Sequence, residues 1–271
     1  MKFKLTLINF LSKLLNIFTI NTYCNFRILM FHNIEIKNFQ LLESNLKALK
    51  KTYNFIDPNK FDMDNNYPKG KKNLLITFDD GFKSNFFFAN TVLKKLKIKG
   101  IFFIVSDLIS SNNYKKKKKV LKNIFPQESF SDKIKFDVMT WSDLRNLENM
   151  GHVIGAHTKS HLRLTDIKSL SILKNQILSP INTFKKNQIK KPIFFAYSFG
   201  DFYSFNKKCF NIAKDKYEFI FSGIRGDNKN FNKVLFRDNI EDNYTFEMIN
   251  FFIRGYSDFL YKNFRKIILS F

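Results

Sequence analysis

Seven short apolar runs, spaced along a chain of 271 residues, limit most strongly what this sequence can fold into. They are Arg27–Phe31, Leu74–Phe78, Ile101–Val105, His152–Ala156, Pro192–Ala196, Glu218–Ser222 and Lys233–Phe236. Each reads as a buried strand, and amphipathic or polar stretches separate them. Phe39–Tyr53 returns its apolar residues at intervals of three and four, which predicts a helix. Asn90–Ile98 and Tyr244–Tyr256 follow the same rule. A further helix opens at Thr140, with Asp143 at capping-box spacing, and ends at Gly151. Trp141 is expected to pack at its start. Strand then helix, repeated without a Gly/Pro-rich linker or an internal repeat, predicts one parallel α/β domain. The even spacing of the strands favours barrel-like closure with about seven parallel strands.

Composition excludes several classes of protein. Hydrophobic residues make up 44% of the chain and 35 of them are Phe, so most of it buries a core rather than staying disordered. The formal charge of +23 comes mainly from Lys. It is either a compositional bias shared with the abundant Asn, Ile and Phe, or a weak attraction to anionic membranes, nucleic acid or acidic glycans. Clustered Arg and a nucleic-acid-binding module are both missing, so no nucleic-acid partner is expected. Cys24 and Cys209 make neither a disulfide framework nor a metal motif, which favours a reducing compartment.

Residues 1–26 form a basic amphipathic segment. Lys13 interrupts its apolar run, no small-x-small site follows, and it is too short to span a bilayer. Packing on the domain, contact with a membrane surface, and a cleaved or anchoring role all stay open. The expected location is the cytoplasm or the inner face of a membrane. Residues 27–271 are left for the folded domain. Within them a polar insertion, Ser110–Lys119, ends in five lysines and reads as a solvated loop or helix edge, the alternative being a glycan- or phosphate-binding role.

In parallel α/β barrels the active site lies at the carboxyl ends of the strands. Here those ends carry His32, then Asp79 and Asp80, then His157 and His161, then Tyr197 and Ser198, then Arg237. His152 starts its strand, roughly 16 Å from His157 at 3.3 Å per residue, and reads as structural or surface-lying. The run HTKSH places His157 and His161 at i and i+4, about 5–6 Å apart on a helical turn. With a nearby aspartate they complete a two-His, one-carboxylate set with open coordination positions, as in catalytic zinc sites; the alternative is two unrelated surface histidines. Adjacent Asp79 and Asp80 would repel each other unless a cation lay beside them. One then holds the metal, and the other is free to act as general base toward water. Gly81 allows the chain to turn closely there.

The runs TFDDG (Thr77–Gly81), HTKSH and FAYSFG (Phe195–Gly200), in that order, resemble the motifs of the NodB-homology polysaccharide deacetylases, carbohydrate esterase family four. The resemblance extends over about Arg27–Tyr256. It implies a deformed (β/α) barrel and metal-dependent hydrolysis of N-acetyl or O-acetyl groups on sugars. By it, Asp79 is the general base. Asp80, His157 and His161 bind Zn²⁺ or another divalent ion such as Co²⁺, Ni²⁺ or Mn²⁺. The third motif lines the substrate groove, with the Tyr197 backbone N–H as oxyanion donor and Phe199 beside it. Two features depart from the family pattern: Ser198 stands where Pro is usual with no Arg before it, and no histidine follows His161. The subgroup similar to poly-β-1,6-N-acetylglucosamine deacetylases carries an early Tyr-His pair whose histidine is the general acid. MFHNI (Met30–Ile34) is similar with Phe for Tyr, which makes His32 the candidate acid. Arg237 either orients Asp79 or is an ordinary salt-bridged Arg. The expected partner is an acetylated glycan of cell-envelope metabolism. The rival readings are an amidase acting on a non-sugar substrate and an inactive glycan-binding relative.

Overall fold

The computed structural model describes residues 26–61, 72–111, 113–127, 137–228 and 233–271. The amphipathic segment expected over 1–26, with Cys24, lies outside the described residues except for Phe26. All seven expected runs hold strands, with ends shifted by one or two residues. They are β1 (Phe26–Phe31), β3 (Lys72–Phe78), β4 (Gly100–Ile104), β5 (Val153–Ala156), β6 (Phe194–Ala196), β7 (Phe219–Phe221) and β8 (Val234–Leu235). Short β2 (Tyr53–Phe55) and β9 (Asp238–Asn239) join them. Every pairing in this sheet is parallel, in the order β8-β7-β6-β5-β4-β3-β1-β9, with β2 beside the start of β3.

The two edges of the sheet are consecutive in the chain. β8 pairs with β7, β9 pairs with β1, and only Phe236 and Arg237 separate them. The barrel is therefore closed by a strand that changes partner halfway, which is its deformation. The loop after β7 seals this seam: Asn228 accepts from the Phe236 N–H (2.8 Å) and donates to the Phe236 carbonyl (3.0 Å). The Arg237 N–H donates to Ile224 O at 3.0 Å. Buried backbone groups that the ladder cannot pair are satisfied in this way.

Side chains on a strand alternate between faces, and the barrel sorts them accordingly. Phe26, Ile28, Leu75, Phe103, Phe194, Phe221 and Leu235 belong to an inner apolar plug. Their neighbours Leu74, Ile76, Phe102, Phe195 and Ile220 point outward under the helices. Gly155 makes room for the plug, since a Cβ there would lie 2.5 Å from the Phe103 ring. Around the barrel run α1 (Phe39–Thr52), α2 (Lys83–Phe88, continued by a π-helical turn), α3 (Ser106–Ser110), α4 (Tyr114–Ile124), α5 (Trp141–Asn149), α6 (Leu170–Lys186), α7 (Lys207–Ala213), α8 (Phe246–Ile253) and α9 (Lys262–Ile268). The Thr140–Asp143 capping box is formed, and Trp141 packs edge-on against Phe184. No helix among the described residues is long and apolar enough to cross a membrane.

His152 is a structural residue, as its strand position implies. It is 3% exposed, and its Nδ1 accepts the Gly100 N–H at 3.1 Å. Burial, helped by Lys99, lowers its pKa to about 4, while Asp57 opposes them weakly. The unfolded chain binds this proton near pH 6.5 and the folded chain does not, so stability falls as pH drops from about 6.5 to 4. Up to about 3 kcal/mol is lost over that window. His152→Asn keeps an acceptor for Gly100 and removes the titration. Urea melts at pH 7.5 and 4.5 should show a smaller acid loss in the variant, and equal losses would rule out His152 as their source.

Candidate active site

The inward face of β3 builds the site in layers. Leu75 lies in the apolar plug, Thr77 is next along that face, and Asp79 follows at the barrel mouth. Arg237 reaches the same layer from the seam. Its guanidinium lies over the Phe103 ring, 5.2 Å from the centroid, and its Nε donates to Ser222 O at 2.8 Å. Its two terminal nitrogens grip both oxygens of Asp79, at 2.7 and 2.9 Å. This bidentate pair is almost fully buried, with Arg237 1% and Asp79 2% exposed. Burial pushes the Asp79 carboxyl up; Arg237, then His157 and His32, outweigh it and hold the carboxyl below the usual range. Asp79 is thus a fixed anion of fixed orientation.

Asp80 would face away from Asp79 if the strand simply continued. Instead it adopts a left-handed conformation (φ 76°), and Gly81 follows at φ 99°. This turn brings two consecutive carboxylates to one mouth, at a backbone cost of about 1–2 kcal/mol for Asp80. Asp80 Oδ1 lies 3.6 Å from His157 Nε2 and 3.5 Å from His161 Nε2. All three residues are buried, and one ligand atom from each lies within 4.8 Å of the others. Asp79 Oδ2 is 3.7 Å from His157 Nε2, just beside the group.

The histidines do not sit on the helical turn that their spacing suggested. HTKSH is an irregular loop, with Thr158 (φ 61°) and His161 (φ 56°) both left-handed. Thr158 Oγ1 accepts the His161 N–H at 3.1 Å and fixes the bend. The two rings meet at 5.0 Å between centroids. His157 Nδ1 is 2.9 Å from Ala196 O, a contact that assigns the proton to Nδ1 and turns Nε2 toward the group. Asn123 O takes the same place for His161 at 3.4 Å. Burial, then His157, hold His161 well below its usual pKa, so it is neutral and able to ligate. Burial pushes the Asp80 carboxyl up, and Asp80 Oδ1 has no hydrogen-bond partner. An orphaned buried carboxylate oxygen facing two imidazole nitrogens fits a divalent cation with open positions.

A family model described as polysaccharide deacetylase matches residues 66–217, more than half of the chain. The chain belongs to the polysaccharide deacetylase family. It is a carbohydrate deacetylase, a hydrolase that removes acetyl groups from glycans. Its fold is shared with solved members of that group. The Streptococcus pyogenes deacetylase PplD, solved with acetate, is 19% identical with a TM-score of 0.67, over 84% of this chain and 97% of that one. IcaB from Ammonifex degensii is 17% identical with a TM-score of 0.64, over 85% and 97%. A de-N-acetylase from Aggregatibacter actinomycetemcomitans is 18% identical with a TM-score of 0.64, over 84% and 99%. No curated protein sequence matches the chain.

Set against the motifs of a polysaccharide deacetylase, most of the expected residues gather at this mouth. His32 is exposed just beyond β1, near enough for its charge to act on Asp79, Asp80 and His161. Tyr197 does not fit its expected part. Its N–H donates to Phe221 O at 3.1 Å, continuing the β6–β7 ladder, so it is not free for an oxyanion. Its ring is buried on the outer face, stacked on Phe205 at 4.1 Å. Strand alternation signalled this: Ala196 is an inner residue, so Tyr197 must face outward. Phe199 is the residue that reaches the site. It is left-handed (φ 62°), and its ring lies 4.7 Å from that of His161. Its N–H has no acceptor among the described residues. Ser198, where Pro is usual, donates its hydroxyl to Leu162 O at 2.6 Å and ties this turn to the His161 loop. Sequence reasoning missed Asn123, whose backbone carbonyl supports His161 from a helix that carries no family motif.

Proposed function

We propose that this enzyme hydrolyses N-acetyl groups on a glycan with a divalent cation held by Asp80, His157 and His161. The observation that carries the reading is the buried Asp80 Oδ1, unpaired and 3.5–3.6 Å from two imidazole nitrogens. When bound, a divalent cation there supplies Lewis acidity toward the acetyl carbonyl and makes water more acidic. Asp79, anionic and clamped by Arg237, accepts a proton from the attacking water at an oxygen beside the cation group. The Phe199 N–H, rather than that of Tyr197, donates to the oxygen that gains charge as the carbonyl is attacked. His32 gives a proton to the departing nitrogen. An amine leaves poorly without one, which favours N-acetyl over O-acetyl substrates for a site with an acid at its rim. Acetate and a free amino sugar result. The acetate bound in the S. pyogenes deacetylase is in keeping with that product.

The test strips the protein with a chelator and restores Zn²⁺ or Co²⁺ while following acetate release from N-acetylglucosamine oligosaccharides. Release should vanish on stripping and return with the metal. His161→Ala should hold metal at least about tenfold more weakly, as expected when one of three ligands is lost. Undiminished release in chelator, or no divalent ion taken up by the wild type, would overturn the proposal.

A further inference from the structure

The lysine-rich insertion has no part in the chemistry above, yet it forms one wall of a cavity beside the site. Lys115, Lys116 and Lys119 are exposed on α4, the solvated helix edge expected of Ser110–Lys119, and the helix runs on to Ile124, buries Val120, Leu121 and Ile124, and is capped by the Asn113 side chain. The adjoining face, which shares Val120 with the buried one, looks into a cavity of about 800 Å³. Lys116, Lys119, Val120 and Asn123 line it at i, i+3, i+4 and i+7, one stripe of the helix. Lys159, Gln176 and Asp107 line it as well, and the Asp107 carboxylate is close enough to feel the charges of Lys159 and Lys116. A volume of this size suits a sugar-sized ligand.

The charges in this cavity are unbalanced. Three lysines line it against one carboxylate, and among the described residues none of the three is paired in a salt bridge. Lys116 and Lys119, at i and i+3, are neighbours on the helix surface, and their like charges repel. An anion seated among them would relieve that repulsion. The Ser110 hydroxyl and the second N–H of the Gln176 amide offer neutral donors, while the hydroxyls of Ser111 and Ser160 are already donated to Asn113 O and Gln176 Oε1, both at 3.1 Å.

The cavity shares a wall with the candidate active site. Asn123 donates its side-chain amide to Ser160 O at 2.7 Å, and its carbonyl supports His161 at 3.4 Å. Lys159 lies between the two histidines in sequence, and its N–H donates to Gln176 O at 2.9 Å. Both walls follow strand ends at the catalytic mouth, after β4 and after β5.

We propose that this cavity is a subsite for an anionic group, phosphate or carboxylate, carried by the glycan whose acetyl group enters the site. The substrate is then a charged glycan rather than a neutral one. The inference rests on the deacetylase reading for its substrate, though not for the existence of the anion site.

The experiment compares three N-acetylglucosamine oligosaccharides of equal length: neutral, uronate-bearing and phosphodiester-bearing. Metal-loaded full-length enzyme is assayed for acetate release and, separately, for binding by calorimetry. At low salt the wild type should favour an anionic substrate in kcat/KM by about tenfold, the combined effect of two exposed lysines. The preference should shrink as salt shortens the Debye length to about 3 Å. Lys116→Gln/Lys119→Gln should lose it and keep the neutral rate. Lys185→Gln/Lys186→Gln, exposed at the end of α6, should retain it and so exclude a general effect of net charge. The better of the two anionic arms identifies the group. Equal kcat/KM for neutral and anionic substrates, or a preference that survives in Lys116→Gln/Lys119→Gln, would overturn the subsite. If no substrate is turned over but the anionic one binds and the double variant abolishes that binding, the deacetylase reading fails and the anion site stands. If neither is turned over nor bound, both fail.

Discussion

Asp79→Asn should lower kcat by about 10²–10⁴-fold, the usual contribution of a positioned general base, with metal content unchanged. The carboxamide is nearly the same size and still offers Arg237 one acceptor, but it cannot take a proton from water. Asp79 is not expected to ligate the cation, since both its oxygens are held by Arg237 at 2.7 and 2.9 Å. The variant should therefore bind metal as the wild type does. It should also lose roughly 3 kcal/mol of stability, because a buried guanidinium loses its charged partner. Turnover is accordingly measured below the variant's own melting temperature, alongside metal content and circular dichroism. A folded, metal-replete Asp79→Asn protein within about tenfold of wild-type kcat would remove Asp79 from the role of base.

The depressed pKa of Asp79 does not argue against that role. A base must be unprotonated before it can act, and Arg237 favours this by holding the carboxyl below the usual carboxylate range. What Asp79 lacks in basicity, a cation held by Asp80, His157 and His161 would offset by making the water more acidic. Two adjacent aspartates thus reach different states for physical reasons. One has a guanidinium across both oxygens, and the other has only imidazoles and an unpaired atom.

Much of this was legible in the sequence, because the inner face of a strand is read by counting in twos. Leu75, Thr77 and Asp79 follow one another on that face, and Arg237 could be placed at the mouth because it ends the last apolar run. The same counting should have turned Tyr197 outward, since its neighbour Ala196 faces in. Left-handed backbone was not legible. Asp80, Thr158, His161 and Phe199 all adopt it, and nothing in their side chains requires it. Surrounding packing imposes such conformations, and they gather where side chains must converge. The division of the last strand between two partners was also hidden, because β8 and β9 are only two residues each and carry no period to detect. The lysine run is a solvated helix edge as expected, but the helix's apolar anchor, Val120, Leu121 and Ile124, lies beyond the charged residues.

The seam that places Arg237 has its own clamp, and Arg27→Met should show its strength by destabilising the protein by about 3–5 kcal/mol. Arg27 is 1% exposed on β1, and Asp238 on β9 is 0% exposed. Arg27 Nε and Nη2 donate to the two oxygens of Asp238 at 2.7 and 2.6 Å, and Nη1 donates to Asp258 at 2.7 Å. A third acceptor, Phe252 O at 2.9 Å, ties the clamp to α8. Burial alone would lower the Arg27 pKa; Asp238 and Asp258 more than offset it, so the guanidinium stays charged. Methionine fills much of the space but leaves Asp238 buried beside only Arg225, at 3.6 Å. The cost arises mainly from that stranded carboxylate, and the pairing energy itself is the smaller part. Arg27→Met/Asp238→Leu should therefore be more stable than the sum of the two single losses by at least about 1 kcal/mol, a coupling that urea melts of the full cycle resolve. If the single losses simply add, the two residues are not coupled. The strand that carries Arg237 to Asp79 is then held by its backbone bonds and the Asn228 bracket alone.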